Sequence, residues 1–158
     1  MLAHPARLAA RRARAGVHPL VLRRCPPTER PLAARFRLAR DAPARLRGPD
    51  RQRLQVGQAC WLAEDAWLDN LAPISLGDRV CLSQGTYLCT GNHNFRSPGF
   101  DLQLGPISIG SDAWIAARAV LAPGTQVGPG AVVALGAVVS GSVPAGAIVR
   151  GNPAVVVG

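Results

Sequence analysis

The stretch "IGSDAWIAARAVLAPGTQVGPGAVVALGAVVSGSVP", residues Ile109 to Pro144, divides into six consecutive units of six residues, and each unit begins with Ile, Leu or Val. Neither the 3.6-residue period of a helix nor the simple alternation of a strand produces a repeat of six. Because six is an even number, the aliphatic residues fall on one face of an extended chain, and a turn in each unit directs the chain to the next wall. The stretch therefore predicts a coil of short strands around an aliphatic core.

The same period extends toward the N-terminus, in triplets of aliphatic residues spaced six apart. The twelve positions are Val56, Leu62, Leu68, Leu76, Leu82, Leu88, Ile109, Ile115, Leu121, Val127, Val133 and Val139. A small or turn-compatible residue follows each of them, which permits a tight corner. Three such walls close a triangular coil, and successive coils stack at the strand spacing of about 4.8 Å. We therefore predict an all-β fold, a parallel β-helix of about four coils over residues 54–158.

One long interruption breaks the period between Leu88 and Ile109, which lie 21 residues apart where six is due. The extra residues predict an extruded loop at about 91–107, and His93 is expected at the last strand position before it. A long excursion from a compact repeat is usually functional. His93 at the rim is therefore a candidate for chemistry, although a loop histidine that only pairs with backbone is the alternative.

The net charge of +9 belongs to the N-terminal third. All 18 basic residues are arginine, and residues 1–53 hold 14 of these arginines against three acidic residues. Seven of the 14 prolines also lie there, and no six-residue period is present. This composition predicts an irregular or poorly ordered segment over 1–53. A nucleic-acid-binding arm is disfavoured because Phe36 is the only aromatic residue in it; an altered reading frame upstream of about residue 53 is another explanation.

Composition argues against several other classes. The four cysteines form no CxxC pair, so neither a zinc site nor a disulfide framework is expected. No apolar run approaches the ~20 residues of a membrane span, and we expect a cytoplasmic protein with reduced cysteines. Of the three histidines only His93 lies in the repeat. A three-histidine metal site, as in γ-type carbonic anhydrases, is therefore disfavoured, and no metal is expected.

Three motifs carry a family resemblance: "TGNHNF" at 90–95, "IGSDAWIAARAVLAPG" at 109–124 and "GNPA" at 151–154. Residues 54–158 resemble hexapeptide-repeat sugar O-acetyltransferases of the colanic-acid, exopolysaccharide type and the maltose and galactoside acetyltransferase group. The resemblance implies left-handed coils, acetyl-CoA as co-substrate, a sugar hydroxyl as acceptor, and a homotrimer with active sites between subunits. Another acceptor, such as serine or an antibiotic, stays open, as does a non-catalytic binding or assembly module.

Acetyl transfer from a thioester to a hydroxyl needs a base, donors for the oxyanion and two aligned substrates. Histidine suits the first task, and the resemblance makes His93 the catalytic base. The cofactor-binding candidates that the resemblance implies are Trp114, Ala116, Ala117, Arg118, Ala134, Leu135, Ser140 and Arg150. Trp114 would form an aromatic wall for the pantetheine arm, or alternatively an apolar plug, and residues 116–118 would offer backbone N–H and C=O groups to it.

The acceptor is expected to meet residues around His93 and in the preceding coils. The substrate-binding candidates are Glu64, Asp65, Asp69, Asn70, Tyr87, Asn92, Asn94 and Phe95. The acids could equally be solvated corner residues, and one of them could orient the imidazole. The sequence also departs from the family: "SGS" at 140–142 replaces the usual "TKD", and Val155 replaces a basic residue. Weakened cofactor affinity is therefore expected, with Arg118 and Arg150 as substitute cations.

Overall fold

The computed structural model describes residues 53–158 and the backbone of two short strands at 36–38 and 45–47. These residues form nineteen strands and contain no α-helix. In chain order the strands are β1 (Phe36–Leu38), β2 (Arg45–Arg47), β3 (Leu54–Val56), β4 (Cys60–Leu62), β5 (Trp67–Asp69), β6 (Ile74–Leu76), β7 (Cys81–Leu82), β8 (Tyr87–Cys89), β9 (Gly91–His93), β10 (Leu102–Leu104), β11 (Ile107–Ile109), β12 (Trp114–Ile115), β13 (Val120–Leu121), β14 (Gln126–Val127), β15 (Val132–Val133), β16 (Val138–Val139), β17 (Ser142–Val143), β18 (Ile148–Arg150) and β19 (Val155–Val156).

Three parallel sheets form the walls of a prism. Wall 1 runs β1-β4-β7-β12-β15-β18 and ends on the antiparallel strand β19. Wall 2 is β2-β5-β8-β13-β16, and wall 3 is β3-β6-β11-β14-β17. Successive strands of the chain therefore lie in successive walls, and each strand pairs with the strand one coil away. This is the parallel β-helix that the repeat predicts.

The number of coils corrects the prediction. Walls 2 and 3 each contain five strands, so the chain makes about five turns, and not four. The additional turn begins with β1 and β2, which lie inside the segment 1–53 that was expected to be irregular. Leu38 aligns with Leu62, and Leu46 with Leu68. The six-residue period misses this turn because these leucines are spaced by eight residues. The rest of the segment lies outside the described residues.

The core confirms the inward placement of the repeated aliphatic residues. Eleven of the twelve predicted positions are at most 4% exposed, and only Val56, at the open end, is partly buried. In wall 2, Leu68, Leu88 and Leu121 align in register across three coils. Burial of a Leu or Ile side chain contributes about 1.5–3 kcal/mol relative to exposure, so these stacked columns are the main source of the stability of the prism.

The chain turns at the corners through residues whose backbone φ is positive, in the left-handed region. At the corner between walls 1 and 2, called corner 1–2, these residues are Asp65, Gly85, Arg118 and Gly136, with φ of 55°, 65°, 59° and 67°. At the corner between walls 3 and 1, a glycine precedes the turn, and backbone of the next coil lies very close. A Cβ on Gly110 would lie 2.5 Å from the nitrogen of Pro129, a distance that no real side chain tolerates. Here the absence of a side chain lets the coils stack.

The outward faces of the three walls differ in polarity. Wall 3 presents Gln55, Ser75, Ser108, Gln126 and Ser142 in one register column. Wall 1 presents Trp61, Cys81, Trp114, Val132 and Ile148, and wall 2 presents Trp67, Tyr87, Val120 and Val138. Along these columns, walls 1 and 2 are mainly apolar outside and wall 3 is polar.

Candidate active site

His93 lies on a β-hairpin that leaves the prism at the corner between walls 2 and 3, called corner 2–3. Strand β8 ends at Cys89, so His93 lies beyond the wall and not at its last strand position as expected. Thr90 makes the turn, because its N–H and hydroxyl both donate to the carbonyl of Asp69. Strands β9 and β10 then pair antiparallel, with His93 opposite Leu102. The hairpin carries the histidine outward, where its side chain is exposed.

Two contacts hold the imidazole, and Phe100 makes both. The Nδ1 atom of His93 lies 2.8 Å from the carbonyl oxygen of Phe100. The two rings are stacked, with centroids 4.4 Å apart and planes 8° from parallel. Since a carbonyl oxygen only accepts hydrogen bonds, Nδ1 carries the proton in the neutral ring. Nε2 then keeps its lone pair and can accept a proton.

The tip of the hairpin is closed by its own hydrogen bonds. The N–H of Asn94 donates to the carbonyl of Asp101 at 2.8 Å, and the hydroxyl of Ser97 donates to the carboxylate of Asp101 at 2.5 Å. The side-chain oxygen of Asn94 accepts from the N–H of Arg96 at 3.2 Å. The guanidinium of Arg96 lies over the ring of Phe95, 5.4 Å from its centroid. The side chain of Asn94, a candidate for acceptor binding, therefore shapes the turn.

Trp114 lies on the outer face of wall 1, next to corner 1–2. It is aligned with Cys81 below and Val132 above. Its indole N–H donates to the hydroxyl of Ser83 at 2.9 Å, which fixes the ring beside the corner. The ring is partly exposed, so it offers an apolar surface to a ligand that lies along the corner. Ser83 was not among the predicted site residues, although it lies one coil below Ala116 in the repeat.

Corner 1–2 combines small side chains with free backbone donors. Ala63, Ser83, Ala116 and Ala134 form its first column, and each N–H in it donates to a carbonyl of the next coil. Within residues 53–158, the N–H groups of the next column, Gln84, Ala117 and Leu135, make no hydrogen bond to protein atoms. Of the three amides expected to bind pantetheine, the N–H of Ala116 and that of Arg118 are used between coils, and that of Ala117 is available.

Two cationic candidates flank this corner. The aliphatic part of Arg118 lies over Gly85, at 3.5 Å from the position of a Cβ there. Arg150, at the end of β18, follows Val149, whose carbonyl accepts the N–H of Ala134. Arg150 therefore lies one coil beyond Ala134, near the far end of the small-residue column. Both arginines are exposed, and so is Ser140, which lies in a different corner, directly after β16.

A polar cluster occupies the outer face of wall 2 near corner 2–3. Asp69 and Cys89 are register partners, as are Trp67 and Tyr87, whose rings are 5.0 Å apart. Burial raises the pKa of Tyr87 above its ordinary value, and the neighbouring Cys89 thiol and Asp69 carboxylate raise it further. Asp69 and Tyr87 were candidates for acceptor binding, and Cys89 was not; its position in β8, two residues after Tyr87, signals the shared face.

The remaining acceptor candidates are dispersed. Glu64 and Asp65 are exposed at corner 1–2, on the other edge of wall 2 from His93. Asn70 is only 1% exposed, so it forms no part of an open surface. Asn92 is exposed and its side-chain oxygen accepts from the backbone N–H of His93 at 2.8 Å. Phe95 is 77% exposed at the hairpin tip.

The candidate residues of one chain thus form two groups at different corners, called the two half-sites. The candidate base and the polar cluster lie at corner 2–3, whereas Trp114, Ala117 and the arginines lie at or near corner 1–2. Wall 2 separates the two corners. Residues 53–158 contain no group of three or more His, Cys, Asp or Glu side chains placed to bind a metal ion. None of the described residues form a helix capable of spanning a membrane.

The fold of the described residues is that of one class of known proteins. No family model matches the chain. The described part nevertheless has the left-handed β-helix fold of the hexapeptide-repeat acetyltransferases, with an extruded hairpin that bears a histidine and a wall tryptophan that follows it.

Relatives agree with this class. The chain is 40% identical over 105 residues to an Escherichia coli protein named as colanic acid biosynthesis acetyltransferase WcaF. The aligned residues cover 66% of this chain and 58% of the relative. A hexapeptide-repeat acetyltransferase of Vibrio cholerae, solved with acetyl coenzyme A, is 29% identical with a TM-score of 0.63, over 66% of this chain and 59% of that one. A galactoside acetyltransferase solved with coenzyme A shares the fold, with a TM-score of 0.70, at 19% identity over 77% of this chain and 62% of that one. The chain thus spans little more than half the length of the E. coli relative.

Proposed function

We propose that this protein is an acetyl-CoA-dependent O-acetyltransferase that acts on a sugar hydroxyl, with His93 as the general base. The observation that carries the proposal is the 2.8 Å contact between Nδ1 of an exposed His93 and the carbonyl of Phe100. This contact favours the tautomer with the proton on Nδ1, which supports Nε2 as the proposed base at the rim of the prism. The named colanic acid relative supports a sugar acceptor and a role in exopolysaccharide biosynthesis.

The reaction that this geometry supports is direct transfer. Nε2 of His93 removes the proton of the acceptor hydroxyl as its oxygen attacks the thioester carbonyl. Backbone N–H groups at the rim stabilise the oxyanion. The C–S bond then breaks, and the thiolate of coenzyme A leaves and takes up the proton from the imidazolium. No residue forms a covalent intermediate with the acetyl group in this scheme.

Corner 1–2 supports the binding of the coenzyme. The free N–H groups of Ala117 and Leu135 lie in one column, and the adjacent small side chains leave room for a narrow chain. Three coil steps, about 14 Å at the strand spacing, separate Ser83 from Arg150 along this corner. A pantetheine arm along this column, against Trp114, would direct its phosphates toward Arg150. Since the usual basic residues are replaced, Arg118 and Arg150 are the proposed cations.

The acceptor pocket is proposed at corner 2–3. Asp69 and Tyr87 lie on the outer face that leads to the hairpin, and their oxygen atoms suit the hydroxyl groups of a sugar. Asn92 and Phe95 would border the pocket from the hairpin. Glu64 and Asp65 would belong to it only through a neighbouring subunit, because they lie at the other corner.

A homotrimer would bring the two half-sites together. If corner 1–2 of one subunit meets corner 2–3 of the next, the coenzyme column of one copy faces His93 of the other. The apolar outer faces of walls 1 and 2 support burial between copies, and the polar face of wall 3 suits solvent. Acetyl-CoA is a cytoplasmic metabolite, so the proposal also implies action in the cytoplasm. Light scattering that finds an active monomer would contradict the trimer.

The experiment is an acetyl-CoA consumption assay of the full chain across sugars, nucleotide sugars, serine and antibiotics. We expect turnover with a saccharide, and a loss of about 100-fold or more in kcat for His93→Ala. Gln103→Ala, an exposed change on the other strand of the same hairpin, should retain activity. Binding of acetyl-CoA without transfer to any acceptor would favour a binding module. Near-full activity of His93→Ala would place the base elsewhere.

A further inference from the structure

We infer that Phe100 is a positioning residue that fixes both the tautomer and the plane of the His93 ring. The inference rests on the proposed function, because it concerns the residue that would act as base. Phe100 is outside every group of residues that the sequence motifs single out. Phe100 lies seven residues further along the chain than His93, and the hairpin brings the two residues into contact.

The two contacts of Phe100 restrict different motions of the imidazole. Its carbonyl accepts from Nδ1, which selects one of the two neutral tautomers. Its phenyl ring is parallel to the imidazole within 8°, at a centroid distance of 4.4 Å, which opposes rotation of the ring out of its plane. Without the stack, the side chain of an exposed histidine at the end of a short strand would be free to change rotamer.

The backbone of Phe100 is held in a conformation that an aromatic residue rarely adopts. Its φ is +49°, in the left-handed region, where a side chain is strained. The hairpin tip maintains it: the N–H of Phe100 donates to the carbonyl of Ser97 at 3.0 Å, and Ser97 is bound in turn to Asp101. Strain that surrounding bonds maintain is a feature of functional sites. This conformation brings the carbonyl and the ring of one residue to the same imidazole.

The phenyl ring of Phe100 is also 56% exposed, so its burial contributes little to the fold. A large apolar side chain at a strained and exposed position contributes little to the stability of the fold. Its stacked contact with His93 is the interaction that accounts for a phenyl ring at this position. The placement therefore favours a role in orienting Nε2 toward the acceptor hydroxyl.

The test uses the full chain with ¹⁵N-labelled histidine, and long-range proton–nitrogen spectra report which ring nitrogen carries the proton. The spectrum of His93→Ala identifies the His93 signals. Phe100→Gly removes the ring but keeps a residue that accepts a positive φ, and Phe100→Tyr restores a ring. Leu104→Ala removes another exposed apolar side chain, 50% exposed, from the same hairpin.

We expect a dominant Nδ1–H tautomer in the wild type. Phe100→Gly keeps the backbone carbonyl but loses the ring stack, so the imidazole can rotate away from that carbonyl and a mixture of tautomers should appear. Phe100→Tyr should restore the Nδ1–H tautomer. In the acetyl-transfer assay, kcat of Phe100→Gly should fall about 3- to 10-fold, the size of one aromatic contact, at an unchanged KM for acetyl-CoA. Leu104→Ala should leave the tautomer signals unchanged.

Unchanged tautomer signals in Phe100→Gly, or an unchanged kcat, would overturn the inference. The spectra do not depend on activity. If the wild type transfers no acetyl group, the proposed function fails, and the tautomer comparison still decides whether Phe100 positions the ring.

Discussion

Replacement of Leu88 by alanine tests the fold on which the candidate site depends. Leu88 is fully buried, and its register partners Leu68 and Leu121 lie directly below and above it in the core. It is also the last core residue before the hairpin that carries His93. A cavity at this position would therefore lie between three coils.

The expected cost has two parts. Loss of the buried carbon atoms removes about 2.4 kcal/mol of transfer free energy at ~0.8 kcal/mol per methylene. The cavity adds more, because parallel strands hydrogen-bonded on both sides restrict collapse of the walls, and buried Leu→Ala changes cost about 2.7–5.0 kcal/mol. We expect a decrease of about 3–4 kcal/mol in the free energy of unfolding, and a Tm lower by roughly 10 °C.

Urea unfolding followed by circular dichroism, at one fixed protein concentration, measures this decrease. Leu135→Ala is the matched control, because that leucine is 74% exposed and its loss should change the free energy of unfolding by less than about 0.5 kcal/mol. If the two variants lose similar stability, the leucine column does not form the core, and the β-helix assignment is wrong.

For three other sets of substitutions, the structure predicts the direction of the change in the free energy of unfolding or in the KM for acetyl-CoA. Ala59 has φ of 54°, so Ala59→Gly should raise the free energy of unfolding by about 0.5 kcal/mol, whereas Ala122→Gly, without that strain, should lower it by a similar amount in the same urea assay. The Arg79 guanidinium holds the pKa of Asp112 below its ordinary value, so this half-exposed pair stabilises the fold above about pH 4 and loses its effect as the pH falls. Asp112→Asn should slightly lower the free energy of unfolding at pH 7, and this effect should shrink as the pH falls below about 4 and in high salt; an effect that does not shrink at low pH would contradict the assignment. Arg150→Glu should raise the KM for acetyl-CoA about 3- to 10-fold, while Arg79→Glu, with the same change in net charge, should leave it unchanged; equal effects would remove Arg150 from the coenzyme site.

The core and the walls follow from local spacing. Leu62, Leu82 and Ile115 were expected in the core because a period of six keeps alternate residues on one face, and they are at most 3% exposed. The first turn was missed because it does not follow the period of six. Its leucines, Leu38 and Leu46, lie eight residues apart, and the pairing of β2 with β5 becomes evident only in three dimensions.

The candidate site was predictable in part. The interruption of the repeat and the motif around His93 indicated where to look, and the family resemblance implied a role for Trp114. The contacts that orient these side chains were not. Ser83 binds Trp114 across 31 residues of sequence, and Phe100 reaches His93 through antiparallel pairing of β9 with β10. Neither contact has a periodic signature.

The positions of the inward-facing side chains and of the interruption in the coil follow from the sequence, because both depend on the distance between residues along the chain. Only the folded chain shows that the candidate base His93 lies beyond the wall and that Phe100 stacks on it. It also shows that, within residues 53–158, the N–H groups of Gln84, Ala117 and Leu135 at corner 1–2 make no hydrogen bond to protein atoms. These features depend on which coil donates hydrogen bonds to which, and on the path of the chain through the hairpin. Residues outside the repeat have no periodic spacing from which strand register could be predicted, so their contact partners become known only from the folded chain.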